Sequence, residues 1–200
     1  QGGRTTGAAL VSARGIDGLL FTGSARTGLA ISRQLVDRPE VIQALEMGGN
    51  NPLIVHEVND VRAAALITVL SAFISSGQRC TCARRLIVPM GAEGDGFVNS
   101  LTEVMDGITV GAWDDAEQAF MGPLIGPGAA DAVLKAQDDL IAKGGSPLRR
   151  SEKLDRGDAF ITPGLMDVTH VADRPDEEVF GPFLQLIRVP DFDAAIREAN

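Results

Sequence analysis

A chain of 200 residues is about 1.3 times the usual domain allowance, enough for one domain and part of a second. It is 44% hydrophobic and 22% charged, the balance of a globular protein able to bury a sizeable core. Its 18 basic against 27 acidic residues leave a net charge of −9, which argues against nucleic-acid partners and against a basic membrane-surface helix. No apolar run reaches the length of a membrane span, and no charged-then-apolar leader opens the chain. Two cysteines are too few for a disulfide framework and fit a reducing compartment, so a cytoplasmic protein is expected. The Gly-rich start at Gln1 and the stop at Asn200, within a helical pattern, read as the ends of a piece of a longer chain.

Strands and helices are predicted to alternate, which points to an α/β fold. Leu19–Thr22 reads as a short buried strand, followed after Gly23-Ser24 by a helix over 28–36 that stops before Pro39. Strands are expected at 43–47 and 53–58, separated by the turn composition Gly48-Gly49-Asn50-Asn51-Pro52. Asn59 or Asp60 is placed to cap a helix over 61–76 that is apolar on nearly every side and is expected to be buried. Gly77 ends it. A strand at 86–88 follows, then helices marked by Phe97, Leu101, Val104 and Met105 and by Val133, Leu134, Gln137, Leu140 and Ile141. Residues 146–157 read as an exposed charged loop, 184–189 as a strand and 192–199 as an amphipathic helix.

Four stretches carry residue types suited to chemistry. Cys80 and Cys82 lie among Arg79, Arg84 and Arg85 with no acid between them, and a nearby positive charge favours a thiolate. The alternative is that both thiols pack and the arginines solvate a loop. His56 and His170 are the only histidines and neither has ligand spacing to the C-x-C, so no metal site is expected. Glu46 ends an apolar strand at a Gly-Gly turn, where parallel sheets place their crevices. It is either a general base or an ordinary solvated acid. Gly23, Ser24 and Gly28 lie between a strand and a helix, a position able to hold a phosphate but also that of a plain turn. Glu177-Glu178-Val179-Phe180-Gly181-Pro182 is a distinctive turn to which physics alone gives no task.

The order of these stretches is more specific than any one of them. With F-T-G-S-x-x-x-G at 21–28, E-x-G-G-x-x-P at 46–52, G-Q-x-C at 77–80 and E-x-F-G-P at 178–182, the chain resembles the NAD(P)-dependent aldehyde dehydrogenase family over nearly its whole length. The resemblance implies a catalytic domain of that kind with the tail of a Rossmann-type dinucleotide-binding domain. Residues 1–47 would be the C-terminal remnant of the latter, and 48–200 a cysteine-bearing catalytic domain incomplete at its C-terminus. It further implies Cys80 as nucleophile, Glu46 as general base, and NAD as cofactor. Gly23, Ser24 and Gly28 would lie near the pyrophosphate, and Glu178 and Phe180 at the nicotinamide ribose and ring. Arg79 and Thr81 flank Cys80 where the family's substrate pocket lies, and a positive Arg79 suits a dicarboxylate semialdehyde. Cys82 falls outside the nucleophile slot and reads as structural. The partners implied are a small-molecule aldehyde and, for the whole protein, further copies of itself. The family's oxyanion-hole asparagine and adenine-side lysine fall outside these residues, so the segment by itself is expected to be inactive. Two other readings stay open: an acylating relative, which Glu46 disfavours, and a non-catalytic interaction or thiol-redox fragment.

Overall fold

Ser24 follows a strand and caps the next helix in the first of two units, Gln1–Gly49 and Asn50–Asn200, of the computed structural model, which describes residues 1–200. Helix α1 (Arg4–Ser12) leads to strand β1 (Gly18–Gly23), helix α2 (Ala25–Gln34) and strand β2 (Ile42–Met47). The two strands pair in parallel, Gly18 opposite Ile42 and Gly23 opposite Met47, so α2 is the crossover of a β-α-β unit. Val11, Ile31, Leu35 and Val41 are buried, with Leu19, Phe21 and Leu45 packed on them. Helix α1 was not anticipated in the Gly-rich opening; it is held by burying Val11 in this cluster and not by a side-chain cap. The expectation of a short buried strand at Leu19–Thr22 is corrected. Leu19 and Phe21 face the core, but Leu20, on the other face of the pleat, is 87% exposed.

The second unit is built on a five-stranded sheet in the order β3-β4-β7-β6-β5. Its strands are β3 (Pro52–Ile54), β4 (Arg85–Pro89), β5 (Ser146–Arg149), β6 (Gly164–Asp167) and β7 (Phe183–Val189). All neighbours are parallel except β5, which runs antiparallel to β6. The helices are α3 (Val61–Phe73), α4 (Ala92–Asp106), α5 (Pro127–Ala142) and α6 (Phe192–Ala199). Leu86, Val88, Leu184, Leu186 and Leu165 form one core with Ala65, Val69 and Phe73 of α3 and Phe97, Leu101 and Met105 of α4. The alternate residues Ile87, Met166, Phe183 and Ile187 form a second core with Ala130, Val133 and Leu140 of α5 and Ala195 of α6. Burial on both faces explains why Leu86–Val88 and Leu184–Val189 read as continuous apolar runs rather than alternating ones.

Two expectations need correction here, and one strand had no counterpart in the sequence reading. Residues 146–149 form the edge strand β5, although Pro147 and the basic residues read as a loop; proline and charge are tolerated at an edge, and a register shift falls between Pro147 and Arg149. Strand β6 was not anticipated, being only four residues long. Helix α3 is not buried all round. Ala65, Thr68, Val69, Ala72 and Phe73 face the core, whereas Ile67 is 62% exposed with Leu66 and Leu70 beside it. No helix is long and apolar enough to cross a membrane.

Candidate active site

In the first unit the named residues gather at the C-terminal edge of the parallel pair, the usual location of a ligand crevice. Thr22 lies opposite Glu46 in register, and Glu46 is exposed. Ser24 caps α2: its Oγ accepts the Thr27 N–H at 3.3 Å, and its carbonyl accepts those of Thr27 and Gly28 at 3.0 Å each. The Ala25 and Arg26 N–H groups have no acceptor within the chain and point out of the helix start, the arrangement that receives a phosphate oxygen. Gly28 has a packing task. A Cβ there would run into the Met47 thioether, so the glycine lets α2 lie close on β2.

In the second unit the residues collect at the other end of the strands, the N-terminal ends of β3, β4 and β7. Helix α3, capped by Asp60 through the Ala63 N–H at 2.9 Å, runs into a 3-10 turn at Ile74–Gly77. Ser75, Ser76 and Gly77 there have φ of 54°, 57° and 67°. A left-handed non-glycine residue costs about 1–2 kcal/mol, so two in succession must be held by their surroundings. They are. Ser76 Oγ donates to Gly122 O at 2.7 Å, and Ser75 Oγ accepts from Arg79 Nε at 2.9 Å. Gln78 accepts the Ile125 N–H at 2.8 Å. Gly77 must be glycine for a second reason: a Cβ would strike the Gly181 carbonyl and come within 2.8 Å of Pro182 N.

Cys80 stands exposed at the end of this turn, and its N–H donates to no group in the chain. Its own carbonyl and those of Arg79 and Cys82 are engaged. Asn51 Nδ2 donates to Cys80 O at 2.6 Å and to Cys82 O at 3.0 Å, while Cys82 N–H donates to Arg79 O at 3.1 Å. Cys82 itself is buried, its thiol 3.8 Å from Ile74 O, a location that disfavours exchange with Cys80. Arg79 and Thr81 are exposed on either side of Cys80.

The expected positive surroundings of Cys80 are largely absent. Arg84 is 1% exposed and its guanidinium is paired with Glu178 at 2.9 Å. Arg85 turns away to donate to the carbonyls of Asn50, Glu198 and Ala199 at 2.8, 2.7 and 3.0 Å. Only Arg79 remains without an acidic partner. The same ion pair gives Glu178 and Phe180 their place: Arg84 lies 5.3 Å above the Phe180 ring. A cavity of about 810 Å³ opens beside them, lined in part by Gln78, Ile125, Val133, Glu178 and Phe180, but not by Arg79, Cys80 or Thr81. Arg84 and Asn51 were not singled out from the sequence for these tasks. A charge entering the buried run Leu86-Ile87-Val88 was the available signal, because such a group must find a partner.

A sequence model of the aldehyde dehydrogenase family matches residues 1–200. The chain belongs to that family. Among curated aldehyde dehydrogenase relatives, N-succinylglutamate 5-semialdehyde dehydrogenases of Chromobacterium violaceum and Escherichia coli are 56% and 54% identical to it over all 200 residues. The chain spans about two fifths of their length, 41% in each case. Among solved structures, an NADP-dependent glyceraldehyde-3-phosphate dehydrogenase of Bacillus halodurans complexed with NADP is 33% identical, with a TM-score of 0.84 over 98% of this chain and 40% of that one. A betaine aldehyde dehydrogenase of Staphylococcus aureus in complex with NAD+ is 26% identical, with a TM-score of 0.88 over 97% of this chain and 39% of that one. Its aldehyde dehydrogenase relatives thus share an α/β fold with it and use a nicotinamide dinucleotide.

Proposed function

We propose that this chain carries the nucleophile and general base of an enzyme that oxidises N-succinylglutamate 5-semialdehyde to the carboxylate with NAD, a step of arginine breakdown. The observation that carries the reading is Cys80: an exposed thiol on a turn in which the carbonyls of Gly77, Arg79, Cys80 and Cys82 are tied down, with its own N–H free. The narrower substrate is supported by more than half identity to N-succinylglutamate 5-semialdehyde dehydrogenases over the whole chain.

Cys80 Sγ attacks the aldehyde carbon, and the carbonyl oxygen gains negative charge near the Cys80 N–H, a donor with no acceptor inside the chain. A bound nicotinamide supplies the acceptor for the hydride that leaves this carbon. Glu46 takes a proton from the water that hydrolyses the thioester, and Cys80 departs as thiolate. Two features of the chain suit a dinucleotide. The unpaired N–H groups of Ala25 and Arg26 at the start of α2 suit a pyrophosphate, and Gly23 and Ser24 shape that turn. Glu178 is engaged through Oε1 alone, which leaves Oε2 for a ribose hydroxyl, and Phe180 offers a half-exposed ring edge to the nicotinamide side. Arg79, exposed and without an acidic partner, is the cation offered to a substrate carboxylate, with Thr81 a hydroxyl on the other side of the nucleophile. We assign residues 1–47 to the end of the dinucleotide-binding domain and 48–200 to the catalytic domain. Two free thiols fit a cytoplasmic setting, and the exposed apolar face of α3 fits a protein that works as a homo-oligomer.

A substrate panel on the whole protein tests this. N-succinylglutamate 5-semialdehyde is expected to exceed succinate semialdehyde and simple aliphatic aldehydes by about 100-fold or more in kcat/KM, about 2.7 kcal/mol of discrimination, with Cys80→Ala abolishing turnover. Preference for an aliphatic aldehyde would remove the substrate assignment. Undiminished turnover by Cys80→Ala would remove the mechanism.

A further inference from the structure

A guanidinium has five N–H donors, and all five of Arg84 are used inside the protein. Nε and Nη2 donate to Glu178 Oε1 at 3.2 and 2.9 Å. Nη1 donates to Gly77 O at 2.7 Å and to Gly181 O at 3.3 Å, and Nη2 also to Arg79 O at 3.0 Å. These acceptors belong to two stretches almost a hundred positions apart, the turn that ends at Cys80 and the turn that holds Glu178 and Phe180. The side chain is 1% exposed, so the charge gives up its hydration to make these bonds. A well-packed apolar side chain of similar volume avoids that desolvation and is often no less stabilising. What an apolar side chain does not supply is direction: a planar fork that fixes two loops in one relative orientation.

We infer that Arg84 is a positioning residue, which locks the Cys80 turn and the Glu178 carboxylate into one rigid body. On the nucleophile side it holds the carbonyls of Gly77 and Arg79, the two that fix the path of the left-handed turn into Cys80. On the other side it takes Glu178 Oε1 twice, leaving Oε2 as the one free acceptor in a fixed orientation, and stacks on Phe180. The register between nucleophile and cofactor-side carboxylate is thereby set by a single side chain at the entry to β4. The Glu178 half of this inference rests on the proposed function; the Cys80 half does not.

The test uses the whole protein and four forms: parent, Arg84→Met, Glu178→Gln and the double variant, with Arg84→Lys as a fifth. Two readouts are followed on protein shown to be folded by circular dichroism: the pH–rate profile of Cys80 alkylation by iodoacetamide, and NADH affinity by fluorescence titration. Arg84→Met is expected to change the Cys80 rate at fixed pH by fivefold or more and to weaken NADH about tenfold. The double variant is expected to bind NADH within twofold of the weaker single variant, because the two side chains act as one unit. Arg84→Lys keeps the charge but has one nitrogen for two stretches, and is expected to recover less than half of either effect. If Arg84→Met does not fold, Arg84→Lys carries both readouts. A folded Arg84 variant with the parental Cys80 profile and NADH affinity, even one that melts lower, overturns the inference. If Glu178→Gln leaves NADH binding unchanged while the Arg84 variants still alter the Cys80 profile, the cofactor role of Glu178 fails and the positioning of the Cys80 turn stands.

Discussion

Gly77 offers a direct test of how the Cys80 turn is built. Replacing it with alanine imposes two penalties that can be separated. The first is conformational, because a φ of 67° is left-handed, and an L side chain there costs about 1–2 kcal/mol. The second is steric: the new Cβ would meet the Gly181 carbonyl and lie 2.8 Å from Pro182 N, all backbone atoms that cannot rotate aside. Overpacking of that kind adds about 1–3 kcal/mol, so Gly77→Ala should destabilise the protein by about 2–5 kcal/mol. Gly144 is the control. Its φ of 96° is also left-handed, at the end of α5, but a Cβ there meets nothing within 4 Å, so Gly144→Ala should cost only the first penalty. Urea unfolding followed by circular dichroism, with matched m-values, measures both. Equal losses for the two variants would refute the contact between the Cys80 turn and Gly181-Pro182, and with it the packing that underlies the site.

Two further outcomes are expected. In native protein Cys80 should be alkylated at least about 100-fold faster than Cys82, since one thiol is exposed and the other must wait for an opening of the fold; peptide mapping after a short iodoacetamide pulse checks this, and comparable rates would contradict the burial of Cys82. Asp106 and Asp115 are held below the ordinary carboxylate range by hydrogen bonds from Arg149 and Arg156 respectively. The folded protein therefore binds fewer protons than the unfolded chain, so these pairs contribute above about pH 4 and their contribution is lost as pH falls further. Asp106→Asn should flatten the acid limb of a stability–pH curve; an unchanged limb would show that the Arg149 pair is not formed in solution.

The parts of the fold legible in the sequence are those set by near neighbours. The apolar runs at Leu86–Val88 and Leu184–Val189 announce strands because both their faces are covered, and Asp60 announces the start of α3 because a cap acts within one turn. Strand β6 escaped notice because four residues give no period to read, and β5 because its edge position tolerates Pro147. The exposed face of α3 was missed because apolar composition records what a residue can bury, not what lies opposite. Around Cys80 the difference is sharper. Gly77 flags a special backbone by its identity, yet Ser75 and Ser76 share its left-handed conformation with nothing in their side chains to announce it. Arg84 read as part of a basic cluster because its acid, Glu178, is 94 positions away, and only folding brings the two together.

The order of strands across the second sheet also bears on how the chain acquires its structure during synthesis. Strand β7 is the middle of the five, flanked by β4 and β6, yet it comes after the other four in the chain. Until residues 183–189 emerge from the ribosome, β3 and β4 on one side and β5 and β6 on the other have no common neighbour. Each half then has the unpaired edges that invite wrong pairing. Pairing of the two halves into one sheet therefore waits on β7. The residues that close the sheet immediately follow the Glu178–Pro182 turn, so one continuous stretch supplies both the wall against the Cys80 turn and the centre of the sheet.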